Sequence, residues 1–280
     1  MRLGGRSLLR ATVLLVASLL SHKLLAEELT IPGSGNPQYV LTILAEAFNK
    51  EQVVHNVSIP PSTGTAGAVR DVEAGTASLG RVGRKLRPEE LARGLIYLPI
   101  GRDPVVFVAG AGTTIAGLTA REAADVYAGK ITNWQDLGGK PGPIRAIGRE
   151  DTDASLMAIA RSLKEFHGLA LGDHVKVVHL DPQLIELLDR FPGSLGFLNR
   201  SALSVAKTKL VHLALNGVEA TPDKVESGQY PLWLELGLIY RLGNLSPAGK
   251  AFIGFIQAPE NTPIRTGLGL LVGPAPSQVR

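Results

Sequence analysis

The amino-acid sequence predicts an α/β fold of two lobes, each a mostly parallel sheet flanked by helices, with two hinge crossings between the lobes. Strand-like and helix-like segments alternate along most of the 280 residues, which is typical of a parallel sheet covered on both faces. Several polar turns follow a strand and precede a helix. No tandem repeat, low-complexity run or flexible linker divides the chain, so strands should connect the lobes.

The first two units of the chain share one design, a strand followed by a polar turn and a helix. Apolar residues recur at helical spacing after the first turn, and Asn36 before Pro37 is a favourable pair for a helix start. The elements expected here are a strand at 29–31, a turn at 33–37, a helix at 38–50, a strand at 53–59, a turn at 60–65 and a helix at 66–74.

The remaining elements predict where the chain passes between the lobes. The expected elements are strands at 77–80, 95–100, 104–108, 144–147, 175–178, 195–198 and 232–240, and helices at 88–93, 119–128, 155–166, 182–190 and 246–257. The long apolar runs favour crossings at 102–108 and 230–240. The predicted division is a signal peptide at 1–26, lobe 1 at 27–104 and 235–280, and lobe 2 at 105–234.

The N-terminus has the features of a secretory signal. Three arginines at positions 2, 6 and 10 precede an apolar run at 11–20, and Ala26 is a small residue before a polar segment. Because Ser21, His22 and Lys23 interrupt the apolar stretch, an uncleaved anchor is the alternative. We expect cleavage after Ala26 and a periplasmic protein.

Charge and cysteine content exclude several classes of function. The segment before residue 27 holds four basic residues and no acidic ones, so its removal lowers the Lys and Arg count from 29 to 25, against 25 Asp and Glu. The mature chain is then formally neutral, and its basic pI is no argument for nucleic-acid binding. The absence of cysteine excludes disulfides, zinc–thiolate sites, thiol nucleophiles and a lipid-carrying N-terminal cysteine.

Three polar turns between a strand and a helix are the main functional signal. They are residues 33–36, 62–67 and 149–155. The first turn of a helix has N–H groups without internal partners, which can hold a small anion. Glycine permits close approach, and Ser or Thr adds a hydroxyl donor. Any one of these turns could be ordinary, but the three together, one of them with Arg149, favour an oxyanion site.

Further motifs give the chain a family resemblance. The chain resembles the PstS-like phosphate-binding proteins of phosphate ABC transporters over about residues 29–272, which implies the periplasmic-binding fold of type II. The residues that carry the resemblance are Ser62-Thr63-Gly64-Thr65-Ala66-Gly67, Ala74-Gly75-Thr76, Leu79-Gly80, Leu118-Thr119, Tyr127-Ala128-Gly129-Lys130-Ile131-Thr132-Asn133-Trp134, Gly193-Ser194-Leu195-Gly196-Phe197 and Ser227-Gly228-Gln229-Tyr230-Pro231-Leu232.

The resemblance implies a site between the lobes in which helix N-termini, hydroxyls and one arginine hold phosphate. By correspondence, the residues implied in ligand binding are Gly35, Asn36, Thr65, Ala66, Gly67, Gly83, Arg149, Asp151, Asp153, Ala154 and Ser155. Asp151 falls where the family has an acidic residue beside the arginine, and such a pair would orient the guanidinium toward the ligand.

Two departures from the family pattern bear on the ligand. Gly83 stands where the family has an Asp that accepts a ligand proton, and Asp153-Ala154-Ser155 replaces Ser-Gly-Thr. Asp153 either takes over the role of acceptor or repels a dianion. The ligand is therefore phosphate, another oxyanion or an anionic metabolite.

Other site types lack the residues that they need. The sequence has no P-loop motif and no Gly-x-Ser-x-Gly elbow, and the spacing of His174 and His179 favours surface residues. Trp134 and Trp233 are interpreted as packing residues. The basic residues at 81, 84, 85 and 87 favour a solvated face, with an anion entry path as the alternative. We therefore expect no enzyme, no cofactor and no metal.

The expected role is capture of the anion by closure of the lobes, followed by docking of a monomer on a membrane permease. An exported sensor or scavenger without a transport role is the alternative, because its binding site would look the same.

Overall fold

The computed structural model describes residues 26–52, 54–206 and 208–273, and it confirms the α/β fold class. The expected signal peptide lies outside the described residues except for Ala26. The strands are β1 (Glu27–Thr30), β2 (His55–Ser58), β3 (Gly80–Val82), β4 (Ile96–Ala109), β5 (Gly117–Leu118), β6 (Arg145–Arg149), β7 (Lys176–Val178), β8 (Ser194–Asn199), β9 (Val211–Leu215) and β10 (Trp233–Tyr240).

Helices follow most of the strands, as the sequence predicts. They are α1 (Gln38–Glu51), α2 (Gly64–Glu73), α3 (Pro88–Ala92), α4 (Ala120–Tyr127), α5 (Ala154–Ser162), α6 (Asp181–Arg190), α7 (Arg200–Ala206), α8 (Pro222–Glu226), α9 (Pro247–Gln257) and α10 (Thr262–Gly267), with short 3-10 turns such as Trp134–Leu137. In the described ranges, no helix combines the length and apolar character that a bilayer crossing requires.

Two sets of strands are joined by β4 and β10. The pair β1–β2 is parallel, and a parallel bridge between Gly33 and Arg81 connects the turn after β1 to β3. Strand β10 lies antiparallel between β3 and β4. On the other side of β4, β8, β6 and β7 follow in order, and β6 is parallel to both of its neighbours.

Strand β4 changes partners along its length. Its first part, from Ile96 to Pro104, pairs with β10. From Val105 to Ala109 it pairs antiparallel with β8, and its last residues also pair with β9. The sheet is therefore mixed and not mostly parallel, since the crossing strands run against their neighbours. The exact limits of the two lobes stay predictions.

Apolar side chains from the helices and strands fill the core on each side of the crossing. Helix α1 buries Val40, Leu41, Leu44 and Phe48 in one face. The second set of strands packs around four aromatic rings, Phe107, Tyr127, Phe166 and Phe197, with centroids 5.6–6.5 Å apart. Such rings contribute beyond their buried area through edge-to-face packing.

Several elements differ from the sequence-based expectation. The third strand begins at Gly80 and not at residue 77, because the N–H groups of Thr76 and Ala77 turn back to Asp71 O after α2. Helices α7, α8 and α10 and strand β9 were not predicted. They are five to seven residues long, which is too short for periodicity to identify.

Candidate functional site

The first polar turn places small and polar groups at the start of α1. Ser34 and Asn36 are buried, and the Ser34 hydroxyl donates to Asn36 Oδ1 at 3.1 Å. Gly33 adopts φ 137° and lies directly against the carbonyl of Arg81, where no side chain would fit. Helix α1 has Pro37 as its N-cap and no side-chain cap.

The second turn leads into α2, which also begins without a side-chain cap. Thr63 occupies the N-cap position and makes no capping hydrogen bond. The N–H of Gly64 donates to Ser62 Oγ at 3.2 Å, and Thr65 Oγ1 accepts from Gly83 N at 3.3 Å. The remaining first-turn N–H groups are therefore available to an external acceptor.

The third turn joins β6 to α5 and is capped differently. The Asp153 carboxylate accepts hydrogen bonds from Ser155 N at 2.9 Å and from Leu156 N at 3.1 Å. Aspartate is a strong N-cap residue because its oxygen satisfies first-turn donors and its charge favours the helix dipole. A carboxylate of the chain thus occupies two of the donors at the start of α5.

The three turns converge in the folded chain. Asn36 Nδ2 donates to Ser155 Oγ at 3.2 Å, a contact between the first and third turns. A Cβ atom on Gly83 would lie 2.8 Å from Asn36 Oδ1, 2.9 Å from Ser34 Oγ and 3.4 Å from Ala154 Cβ. Gly83 therefore lies where elements from both sides of the crossing meet.

Arg149 lies at the end of β6 and is only 6% exposed. Its guanidinium pairs with Asp153 Oδ2 at 2.9 Å and with Asp181, and it donates to His179 O at 3.1 Å. Asp151 is exposed and is not a partner of Arg149. The expected pair of Arg149 with Asp151 is thus wrong, because the N-cap position brings Asp153 to the guanidinium and α6 brings Asp181.

Burial and neighbouring charges perturb the groups around Arg149. Burial raises the pKa of Asp153, Asp181 raises it further, and Arg149 opposes the shift. Burial and Asp181 also raise the pKa of Tyr39 on α1. These shared influences indicate that Tyr39, Asp153, Asp181 and Arg149 belong to one electrostatic cluster.

A second polar cluster links the crossing strand to the first turn. Asp103 in β4 is fully buried and accepts from Asn199 Nδ2 at 2.6 Å and from Ser201 N at 3.1 Å. Asn199 also donates to Asn36 O at 3.1 Å. Burial raises the pKa of Asp103 to about 6, although its hydrogen bonds oppose the shift. The cluster ties the start of α1 to the crossing.

Sequence reasoning missed Asp181, Asp103 and Asn199. Asp181 could have been predicted from the sequence, because it begins helix α6 shortly after β7. This is the same strand, turn and helix arrangement as in the three predicted turns. Asp103 and Asn199 lie inside strands, and no local pattern reveals that they meet across 96 residues.

The remaining basic, histidine and tryptophan candidates have structural or surface positions. Lys85 is exposed and pairs with Glu235, which supports a solvated face for this residue. Arg84 is half-buried and forms a bidentate pair with the buried Glu90, so that interpretation does not fit it. Arg81 is fully buried, so that interpretation is wrong for it. His174 and His179 are exposed as expected, and Trp134 is buried in the core. Within the described ranges, no cluster of three or more His, Asp or Glu could hold a metal.

Comparison with known proteins gives several phosphate-binding relatives. The family model for the PBP superfamily domain matches residues 21–260. The phosphate-binding protein PstS of Bacillus subtilis (strain 168) is 24% identical over 83% of this chain and 76% of its own length. Phosphate-binding protein PstS 2 of Streptococcus pneumoniae is 31% identical over 113 residues, which are 40% of this chain and 38% of that protein.

A solved structure with bound phosphate has a similar fold. It is described as a phosphate ABC transporter substrate-binding protein from Clostridium perfringens. Its sequence is 26% identical, the alignment covers 87% of this chain and 98% of that chain, and the TM-score is 0.76.

Proposed function

Because the chain belongs to the PBP superfamily, we propose that it is an exported solute-binding protein that captures phosphate, or a related small oxyanion, for an ABC transporter. The observation that carries this proposal is the convergence of three strand-to-helix turns around Gly83, with Asn36 and Ser155 in direct contact. The phosphate-binding relatives and the phosphate-bound structure of similar fold support it.

The proposed site holds the anion mainly through neutral donors. Lobe 1 supplies the turn residues Gly35 and Asn36 and the first turn of α2, and lobe 2 supplies Arg149 and Ser155. Helix N-termini bind oxyanions through oriented N–H groups and the positive end of the helix dipole. The full set proposed to contact or orient the ligand is Gly35, Asn36, Thr65, Ala66, Gly67, Gly83, Arg149, Asp153, Ala154 and Ser155.

Closure of the two lobes is the proposed mechanism of capture. The lobes are residues 27–104 with 235–280, and residues 105–234. The change of partners within β4 at Val105 supports this division. Each lobe gives donors to the same ligand, so ligand binding favours the closed arrangement. Exclusion of water then strengthens the interaction of fixed dipoles with the charge.

The remaining parts of the proposal follow from the family. The chain acts after export, as a monomer, by delivering its ligand to a membrane permease, and it carries out no catalysis. A signal at residues 1–26 that directs the chain to the periplasm completes the proposal.

A thermal-shift panel tests ligand binding directly. Inorganic phosphate, sulfate, molybdate, a phosphonate and small organic anions are added to the purified mature chain. A ligand that binds only the folded state raises the melting temperature by mass action, equivalent to about 2.7 kcal/mol at a hundred times Kd. Phosphate should give the largest rise. If no oxyanion raises the melting temperature, the proposed function is wrong.

A second experiment separates transport from sensing. Deletion of the gene should lower phosphate uptake by the host cells, and the wild-type gene should restore it. Unchanged uptake, together with phosphate binding by the purified chain, would favour a sensor or scavenger module.

A further inference from the structure

Arg81 is a fully buried cation directly behind the proposed anion site. It lies in β3 with 0% of its surface exposed. Its guanidinium donates to Ser34 O at 2.8 Å, to Pro60 O at 2.7 Å and to Ile31 O. A longer contact of 3.4 Å joins it to Gln38 Oε1. One side chain thus holds carbonyl groups from both polar turns of lobe 1.

Backbone contacts fix the same region from the other side. Arg81 N donates to Pro32 O, and Arg81 O accepts from Ser34 N, both at 2.9 Å. The Ser34 carbonyl that accepts from the guanidinium belongs to the same peptide unit as Gly35 N. In a trans peptide the C=O and N–H groups point in opposite directions, so this N–H points away from Arg81.

Arg81 has no carboxylate partner among the described residues. The ion pairs of the neighbouring basic residues are Arg84 with Glu90, Lys85 with Glu235 and Arg87 with Glu89, and none includes Arg81. Burial lowers the pKa of Arg81 to about 10, so the guanidinium stays protonated at neutral pH. An uncompensated buried charge is costly, and carbonyl acceptors offset only part of the cost.

The charges in lobe 2, on the opposite side of the proposed site, show why the positive charge of Arg81 matters for anion binding. Arg149 in lobe 2 is accompanied by the carboxylates of Asp153 and Asp181, so this buried cluster has no excess positive charge. In lobe 1, Gly83 contributes no charge of its own. The buried guanidinium is therefore the fixed positive charge that favours an anion on the lobe 1 side. The carboxylate of Asp103, which reaches the first turn through Asn199, opposes it.

We propose that Arg81 is a positioning residue that holds the turns 33–36 and 60–65 in place and supplies the positive charge with which lobe 1 favours dianionic over monoanionic phosphate. This inference rests on the proposed function, since it assigns a role within the same site. Arg81 therefore makes two contributions to the site: it fixes the positions of the two turns, and it supplies a positive charge. Different substitutions of Arg81 can remove these contributions separately.

Calorimetric titration with inorganic phosphate across the second ionisation of phosphate tests both contributions. Arg81→Met removes both the hydrogen-bond donors of the guanidinium and its positive charge. It should lower affinity at least about tenfold, on the order of 1.4 kcal/mol, and flatten the rise of affinity with pH. Arg81→Lys keeps the charge but loses the guanidinium donors, so its affinity should fall while the pH profile keeps the wild-type shape.

Arg265 provides a matched control. It is 6% exposed, donates to Ile100 O at 2.9 Å and has a pKa lowered by burial, yet it lies in α10 outside the proposed site. Arg265→Met should therefore leave the phosphate affinity and its pH profile unchanged, whatever it does to the melting temperature.

The possible outcomes are distinct. Wild-type affinity and pH profile in Arg81→Met, or an equal loss in Arg265→Met, would overturn the role of Arg81 alone. If Arg81→Met does not fold, Arg81→Lys decides, because an altered pH profile or an unchanged affinity in that variant contradicts the proposal. If the wild-type chain binds no phosphate, both this inference and the proposed function fail.

Discussion

The N-termini of α2 and α5 both belong to the proposed anion site, but they are capped in opposite ways. Helix α2 begins after the uncharged residues Pro60-Pro61-Ser62-Thr63, and Thr63 makes no capping bond. At α5 the Asp153 carboxylate accepts from two first-turn N–H groups and also pairs with Arg149. The start of α2 therefore has free donors, whereas at the start of α5 a carboxylate of the chain already accepts from two of the donors. The comparison indicates that binding strength depends on how far Asp153 competes with the ligand.

Loss of Arg149, the cation beside the start of α5, should have the largest effect on stability and phosphate affinity. Arg149→Ala leaves the carboxylates of Asp153 and Asp181 buried without their partner, and breaking a buried pair costs about 3–5 kcal/mol of unfolding free energy. Phosphate affinity should fall at least about tenfold. Urea unfolding and calorimetry measure the two effects. Arg145→Ala, at the exposed start of the same strand, is the control, and equal affinity loss in both variants would refute the assignment.

Asp103, which anchors the first turn through Asn199, should make stability depend on pH. Its folded pKa of about 6 exceeds the usual value of about 3.9, so the folded state binds the proton more tightly. Its full contribution to the free energy of unfolding is present below about pH 4. That contribution, on the order of 3 kcal/mol, is lost as the pH rises through about 6. Asp103→Asn should remove this slope in urea unfolding. Parallel pH curves for the variant and the wild type would contradict the prediction.

Removal of the charge at the α5 cap should strengthen binding. Asn caps a helix about as well as Asp, so Asp153→Asn keeps the start of α5 while it removes the competing carboxylate. Phosphate affinity should rise about tenfold, or 1.4 kcal/mol, by calorimetry. A loss of affinity would instead show that Asp153 accepts a ligand proton, the role that Gly83 cannot perform.

The smallest effect comes from making α2 resemble α5. Thr63→Asp adds a carboxylate at the uncapped end of α2, where a charge near the helix terminus contributes about 0.3–1 kcal/mol. Phosphate affinity should fall about threefold through competition for the same donors. Thr63→Asn adds an uncharged cap and serves as the control. If both variants bind like the wild type, the α2 N-terminus takes no part in binding.

Local patterns predicted the fold and the turns, but not the partners of the turns. Periodicity identified α1, long apolar runs identified the crossing segments, and turn chemistry identified all three polar turns that converge. The partners of Arg149 and Arg81 could not be predicted in this way. Arg149 meets Asp181 across 32 residues and Arg81 meets Ile31 across 50 residues, and only the folded arrangement of neighbouring turns determines such pairs. For this reason the nearby Asp151 was chosen in error.

The continuous strand β4 has a mechanical consequence. Its 14 residues run through both halves of the molecule and remain paired along most of their length. Any separation of the two halves must therefore twist the hydrogen-bonded strands that connect them, since no flexible linker is available to extend. The register irregularity between Leu236 and Gly237 interrupts the pairing of β10 with β4. Because a bulge locally disrupts the ladder and increases the twist, torsion should concentrate there.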